Sequence, residues 1–98
     1  MNRIAKKFAE LRQNKKKAFI PYIMAGDPNL EKTVELIQLL AENGADLIEV
    51  GVPFSDPVAD GLVIQQAGVR ALRNGCTLEK ILDCMAKVTL TVDTPLIL

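Results

Sequence analysis

Three short apolar runs, residues 18–24, 45–51 and 96–98, alternate with longer stretches whose apolar residues recur at helical spacing. That alternation dictates an α/β architecture with a parallel sheet. The first run, AFIPYIM, ends in Ala25, Gly26, Asp27 and Pro28, a turn composition. Pro21 inside it cannot donate to a ladder, so it belongs at an edge, a strand end or a local break. Asn29 is placed to cap a helix carrying Leu30, Val34, Ile37 and Leu40, with Gly44 in the left-handed position that closes it. The second run, ADLIEVG, follows with almost no loop, as an αβ connection does. Residues 52–61 hold two prolines, two aspartates, Phe54 and Ser55, the makings of an ordered, irregular βα loop. Ile64, Ala67, Ala71 and Leu72 then share a helical face before Gly75, and Thr77 is placed to cap a helix with Leu78, Ile81, Leu82 and Met85. Asp93, Thr94 and Pro95 turn into the last run. The expected order is helix, strand, helix, strand, helix, helix, strand, with right-handed crossovers. Order alone fits both the start of a closed (β/α)8 barrel and an open doubly wound sheet. Residues 1–98 read as one domain, and an unfinished one, because the third strand has no helix after it to cover it.

Composition removes several function classes. The 98 residues carry 12 basic and 12 acidic side chains, so no global field draws in nucleic acid or an anionic membrane. With no histidine, imidazole bases, Ser-His-Asp triads and histidine metal ligands are excluded. Cys76 and Cys84 fit neither a redox pair nor a zinc pattern and read as free thiols in a reducing compartment. No run reaches the ~18 apolar residues of a membrane span, and the expectation is a cytoplasmic protein. Charge is nonetheless uneven: residues 1–17 hold seven basic side chains against Glu10, a net +6. Ile4, Phe8 and Leu11 mark an apolar stripe through this segment, so a helix with one packed face and solvated lysines is expected rather than a targeting peptide.

Within the second strand, Glu49 is the odd residue, because an unpaired carboxylate buried in a sheet costs several kcal/mol. The two-residue period sets it on the face opposite Ile48 and Val50, near the strand's carboxyl end, where α/β enzymes build their sites. A glutamate that merely reaches solvent fits equally well. Eleven positions on, Asp60 precedes Gly61 at the foot of a helix, and its plain reading is an N-cap. An extended eleven-residue path spans ~36 Å, so the two carboxylates are free to converge. Pro53 and Pro57 stiffen the loop between them. Converging carboxylates divide acid and base roles. No nucleotide-phosphate cradle is visible. Ser55 lacks a base to activate it and reads as a loop hydrogen-bonder, and Met24 and Met85 as core filler.

The run from Glu49 to Gly61, EVGVPFSDPVADG, resembles the signature of the tryptophan synthase alpha subunit family. Pro21, Tyr22 and the Ala25–Gly26–Asp27–Pro28 turn are similar to that family's first strand and turn. Gly44–Ala45–Asp46, Arg70–Ala71–Leu72 and Gly75 extend the resemblance over the whole chain. It implies the first part of a (β/α)8 barrel, about three strands after an extra amino-terminal helix, taken from a protein that cleaves indole-3-glycerol phosphate to indole and glyceraldehyde 3-phosphate. It implies no cofactor and no metal. Glu49 would move protons at the reacting carbon and hydroxyl, Asp60 would bind the indole N–H, and Tyr22 would lie against the substrate, at a position more often phenylalanine. Pro53, Asp56 and Pro57 would face a pyridoxal-phosphate-dependent beta subunit in an alpha2beta2 assembly, with Asp56 in a salt bridge. Leu62 stands where many members have proline. A barrel needs ~250 residues, and its phosphate loops after strands 7–8 are not expected in this chain. The 98 residues alone are therefore expected to be a feeble catalyst. Two alternatives share these residues: a non-catalytic module that docks and activates a beta subunit, and a related cofactor-free barrel lyase.

Overall fold

The computed structural model describes residues 2–55 and 59–98. Its elements are α1 (Arg3–Gln13), β1 (Tyr22–Met24), α2 (Leu30–Glu42), β2 (Ile48–Gly51), α3 (Leu62–Arg73), α4 (Leu78–Val88) and β3 (Leu96–Ile97), in the order expected from the sequence. The strands form one parallel sheet in the order β1-β2-β3. Tyr22 pairs with Glu49, Ile23 with Val50 and Met24 with Gly51. Ile48 pairs with Leu96 and Glu49 with Ile97.

The strands are shorter than the apolar runs that announce them, and the cause is local. Pro21 accepts a bond from the Glu49 amide at 2.9 Å but has no N–H to return, so β1 begins only at Tyr22. Before that point the chains are held by Asp46 instead. Its carboxylate accepts the Phe19 N–H at 2.7 Å, while its own amide donates to the Phe19 carbonyl at 2.9 Å. Residues 45–47 are thus a tethered lead-in to β2.

Helix ends follow the chemistry of their caps. Asn29 and Thr77 accept from the amides of Lys32 and Lys80. Asn2, not foreseen, caps α1 by accepting from Ala5. Gly44 follows the last turn of α2 at φ +95°, the left-handed conformation that glycine adopts at least cost.

Most of the core lies on one side of the sheet. Ile48 and Val50 are fully buried there with Ile37 of α2, Ala71 of α3 and Ile81, Met85 and Val88 of α4. Met24 belongs to the same buried cluster although its register with Gly51 sets it on the other face at the end of β1, so Met24 and Met85 are core residues as expected. On α1 the apolar stripe packs only in part: Leu11 is buried, whereas Ile4 and Phe8 remain exposed. Arg3 supplies the rest of the anchorage. Its guanidinium donates to the carbonyls of Val92 at 3.0 Å and Thr89 at 3.1 Å, satisfying acceptors at the carboxyl end of α4. Among the described residues, no helix is long and apolar enough to cross a membrane.

Candidate active site

The opposite face of the sheet carries different chemistry. Glu49 is exposed between two fully buried neighbours, as the two-residue period requires, and stands in register between Tyr22 of β1 and Ile97 of β3. Its amide is committed to Pro21, so the backbone at this position is fixed while the carboxylate projects from the sheet.

Asp60 does not cap α3. Gly61 holds the N-cap position with extended backbone (φ −72°, ψ 167°) and contributes no side-chain bond, and the helix begins at Leu62. A cap at residue 60 would need the helix to start one residue earlier. The Asp60 carbonyl accepts from Gln65 Nε2 at 2.7 Å, which ties the residue to the first turn. Its carboxylate makes no hydrogen bond among the described residues and is exposed. The capping role expected for it falls away, and the side chain is left for other work.

Tyr22 stands beside Glu49 in the register of β1 and β2. Its ring lies across the end of β2, so close that a Cβ on Gly51 would coincide with the phenol hydroxyl. The ionisation of that hydroxyl is pushed up first by burial, then by the negative charge of Asp60, then by that of Glu49. The acidic groups of two separate segments therefore bear on one phenol at the carboxyl end of the strands. A neutral phenol at pH 7 donates a hydrogen bond, and two carboxylates accept, so the cluster presents one donor and two acceptors to whatever enters it.

The turn leading out of β1 on the same rim is braced by residues that no local pattern singles out as a group. The Arg70 guanidinium of α3 grips the Asp27 carboxylate with two bonds, of 2.8 and 3.0 Å, and that partnership holds Arg70 still more firmly in its charged form. Asn74 donates to the carbonyls of Pro28 and Arg70. Thr33, fully buried, accepts the Gly26 N–H at 2.9 Å and donates to the Asn29 carbonyl at 3.1 Å. These partners lie 4 to 46 positions apart, and only the fold brings them together.

Of the loop residues singled out from sequence, Pro53 is buried at the start of the loop, while Asp56 and Pro57 lie outside the described residues. Ser55 is exposed and makes no hydrogen bond among the described residues, so its expected loop bond is not found. Cys76 and Cys84 are free thiols, the first buried and the second half-buried. No three His, Cys, Asp or Glu side chains gather as metal ligands among the described residues.

Fold and site together define the opening strands of a parallel β/α barrel with acidic chemistry at the carboxyl ends of its strands. Residues 8–98 match the family model described as tryptophan synthase alpha chain, and the chain belongs to that family. The tryptophan synthase alpha chain of Geobacter sulfurreducens is 54% identical over all 98 residues, which cover 37% of that protein. That of Burkholderia mallei is 58% identical over 83 residues, 85% of this chain and 31% of the relative. Among solved structures, the subunit alpha of Legionella pneumophila superposes with a TM-score of 0.94 at 45% identity, covering 98% of this chain and 37% of that one. A tryptophan synthase complex from Pyrococcus furiosus matches with a TM-score of 0.75 at 39% identity, over 81% of this chain and 32% of its counterpart. The chain thus corresponds to the amino-terminal portion of these proteins and spans little more than a third of their length.

Proposed function

We propose that this chain contributes the carboxylate half of the active site of an indole-3-glycerol phosphate lyase in tryptophan biosynthesis. The observation that carries the reading is the exposed Glu49 carboxylate at the carboxyl end of β2, in register beside Tyr22, in a chain of this family whose Asp60 is released from capping α3. Cleavage needs a proton delivered to the ring carbon that bears the side chain, and a proton removed from the neighbouring hydroxyl. The first step leaves positive charge on the indole nitrogen. Loss of the hydroxyl proton then breaks the carbon–carbon bond, its electron pair returning to the ring, so that indole and glyceraldehyde 3-phosphate separate. Glu49, fixed by its strand, is the proton carrier. Asp60, free of any capping duty, accepts the indole N–H and offsets the charge. Tyr22 packs against the substrate ring. No cofactor enters this scheme.

The remaining roles belong to the same reading. Asp56 and Pro57 meet a beta subunit in an alpha2beta2 assembly, while Pro53, buried within the chain, stiffens the base of their loop, and the enzyme works in the cytoplasm. The phosphate is held by the part of the barrel that lies beyond these 98 residues in the relatives, so the isolated chain turns over poorly.

The test is a chimera in which residues 1–98 replace the matching segment of the Geobacter sulfurreducens alpha chain. It is expected to release indole from indole-3-glycerol phosphate, with turnover falling ~10²–10⁴-fold in Glu49→Gln and in Asp60→Asn, the usual contribution of a positioned proton donor or acceptor. A folded chimera that stimulates a beta subunit without releasing indole would instead make the segment a docking module. Unchanged turnover in either amide variant removes that residue from the reaction.

A further inference from the structure

Gly51 ends β2 opposite Met24. Its backbone does not require glycine, for it lies outside the left-handed region occupied by Gly26, Gly44 and Gly75. What excludes a side chain there is space. Tyr22, on the same face as Glu49, leans along the strand direction until its hydroxyl and ring carbons fill the place where a Cβ on Gly51 would stand. Gly44 is the converse case: a Cβ there would meet nothing within 4 Å, and only its φ of +95° calls for glycine.

We propose that Gly51 is a positioning residue whose bare Cα seats the Tyr22 ring against the end of β2, making the phenol hydroxyl the third polar group of the Glu49–Asp60 pair. The hydroxyl is a neutral donor set beside two acceptors, and it meets an incoming N–H heteroaromatic ring at its edge while the carboxylates take the ring N–H and the mobile protons. The chemistry assigned to the hydroxyl rests on the lyase reading above. The seating itself does not, and it is tested separately.

The chain offers its own probe, since Tyr22 is the only tyrosine and there is no tryptophan. Ultraviolet absorbance followed against pH therefore reads the ionisation of this phenol alone. The midpoint in the folded protein is raised by burial and by both carboxylates. It is expected to fall in Asp60→Asn, less in Glu49→Gln, and in Gly51→Ala at least as far as in the double amide variant, because a methyl at residue 51 drives the ring off its seat and away from both charges. Gly68→Ala is the control. Its added methyl meets only Met24 Cε, at an ordinary 3.7 Å, so the midpoint stays where it is. A Gly51→Ala protein that keeps the parental midpoint overturns the proposal. Should Gly51→Ala fail to fold, the double variant Gly51→Ala/Tyr22→Ala decides: with the ring gone it must fold as well as Tyr22→Ala alone, and failure of that rescue also overturns the proposal. Loss of the lyase assignment would show in indole release from the chimera and would leave this titration unaltered.

Discussion

Replacing Thr33 with valine changes almost nothing in shape and removes one hydroxyl from a fully buried position. That hydroxyl accepts the buried Gly26 amide at 2.9 Å and donates to the Asn29 carbonyl at 3.1 Å. Valine leaves the amide without a partner, and a buried donor so stranded costs about 1–3 kcal/mol. The extra buried methyl returns about 0.8 kcal/mol at most, so the net loss is about 1.2 kcal/mol at the turn that follows β1. Serine makes the opposite change, keeping both bonds and losing a methyl worth about 0.8 kcal/mol. At about 1.4 kcal/mol per factor of ten, exchange of the Gly26 amide with deuterium should quicken about sevenfold in Thr33→Val and about fourfold in Thr33→Ser. Amide exchange read residue by residue suits this chain because it reports local opening without demanding one cooperative transition. If the valine variant protected Gly26 as well as the serine variant does, the hydroxyl would not be what holds the turn, and the reasoning would fail.

In the core, Ile81→Ala should cost about 2–5 kcal/mol in urea denaturation, since Ile81 is fully buried, while Leu90→Ala, at 85% exposure, should stay within about 0.5 kcal/mol. Burial pushes the thiols of Cys76 and Cys84 up, so both stay protonated at neutral pH and should react slowly with a thiol reagent until the chain unfolds, and rapid native labelling would contradict this. Because the folded-state values of both thiols and of Tyr22 lie above the unfolded ones, the stability they contribute is whole below about pH 9 for the thiols and pH 10 for the phenol. It is lost as pH rises through the folded values, so urea midpoints should decline in the alkaline range, and a midpoint that rose there would reverse the sign of the argument. The edge strand β1 follows exposed Phe19 and Ile20, so the 98-residue chain should self-associate as concentration rises and Ile20→Lys should reduce it; a monomer in sedimentation at every concentration, with sharp cooperative unfolding, would refute the expectation.

Most of the fold was legible because its signals are local. Asn29, Gly44 and Thr77 each mark a helix end through chemistry confined to one turn, and all three do so in the structure. The alternation of Ile48, Glu49 and Val50 needs no distant partner to be read. Asp60 misled because Asp-Gly before a helical run is the ordinary appearance of a cap, and the choice between residues 60 and 61 turns on a one-residue shift in where the helix begins. The Arg70–Asp27 grip and the seat of Tyr22 on Gly51 were invisible for another reason. Each joins segments 43 and 29 positions apart, and a charged arginine or a strand-end glycine carries no local sign of what it will meet.

The candidate site depends on register more than on any single contact. A slip of one residue between β1 and β2 would send Glu49 to the helix-covered face and expose Val50 in its place. A strand pair only three residues long has little side-chain pattern with which to forbid that slip. Asp46 forbids it instead. Its reciprocal bonds to the amide and carbonyl of Phe19 fix the alignment three residues ahead of Glu49, and the Pro21 carbonyl then receives the Glu49 amide. The missing donor of Pro21 removes one ladder bond at the strand entrance and leaves these anchors to set where pairing starts. The acidic residues of β2 and its lead-in therefore divide their work. Asp46 uses its charge on the backbone and so sets which face Glu49 takes, while the Glu49 carboxylate, making no hydrogen bond among the described residues, is left at the strand mouth beside Tyr22.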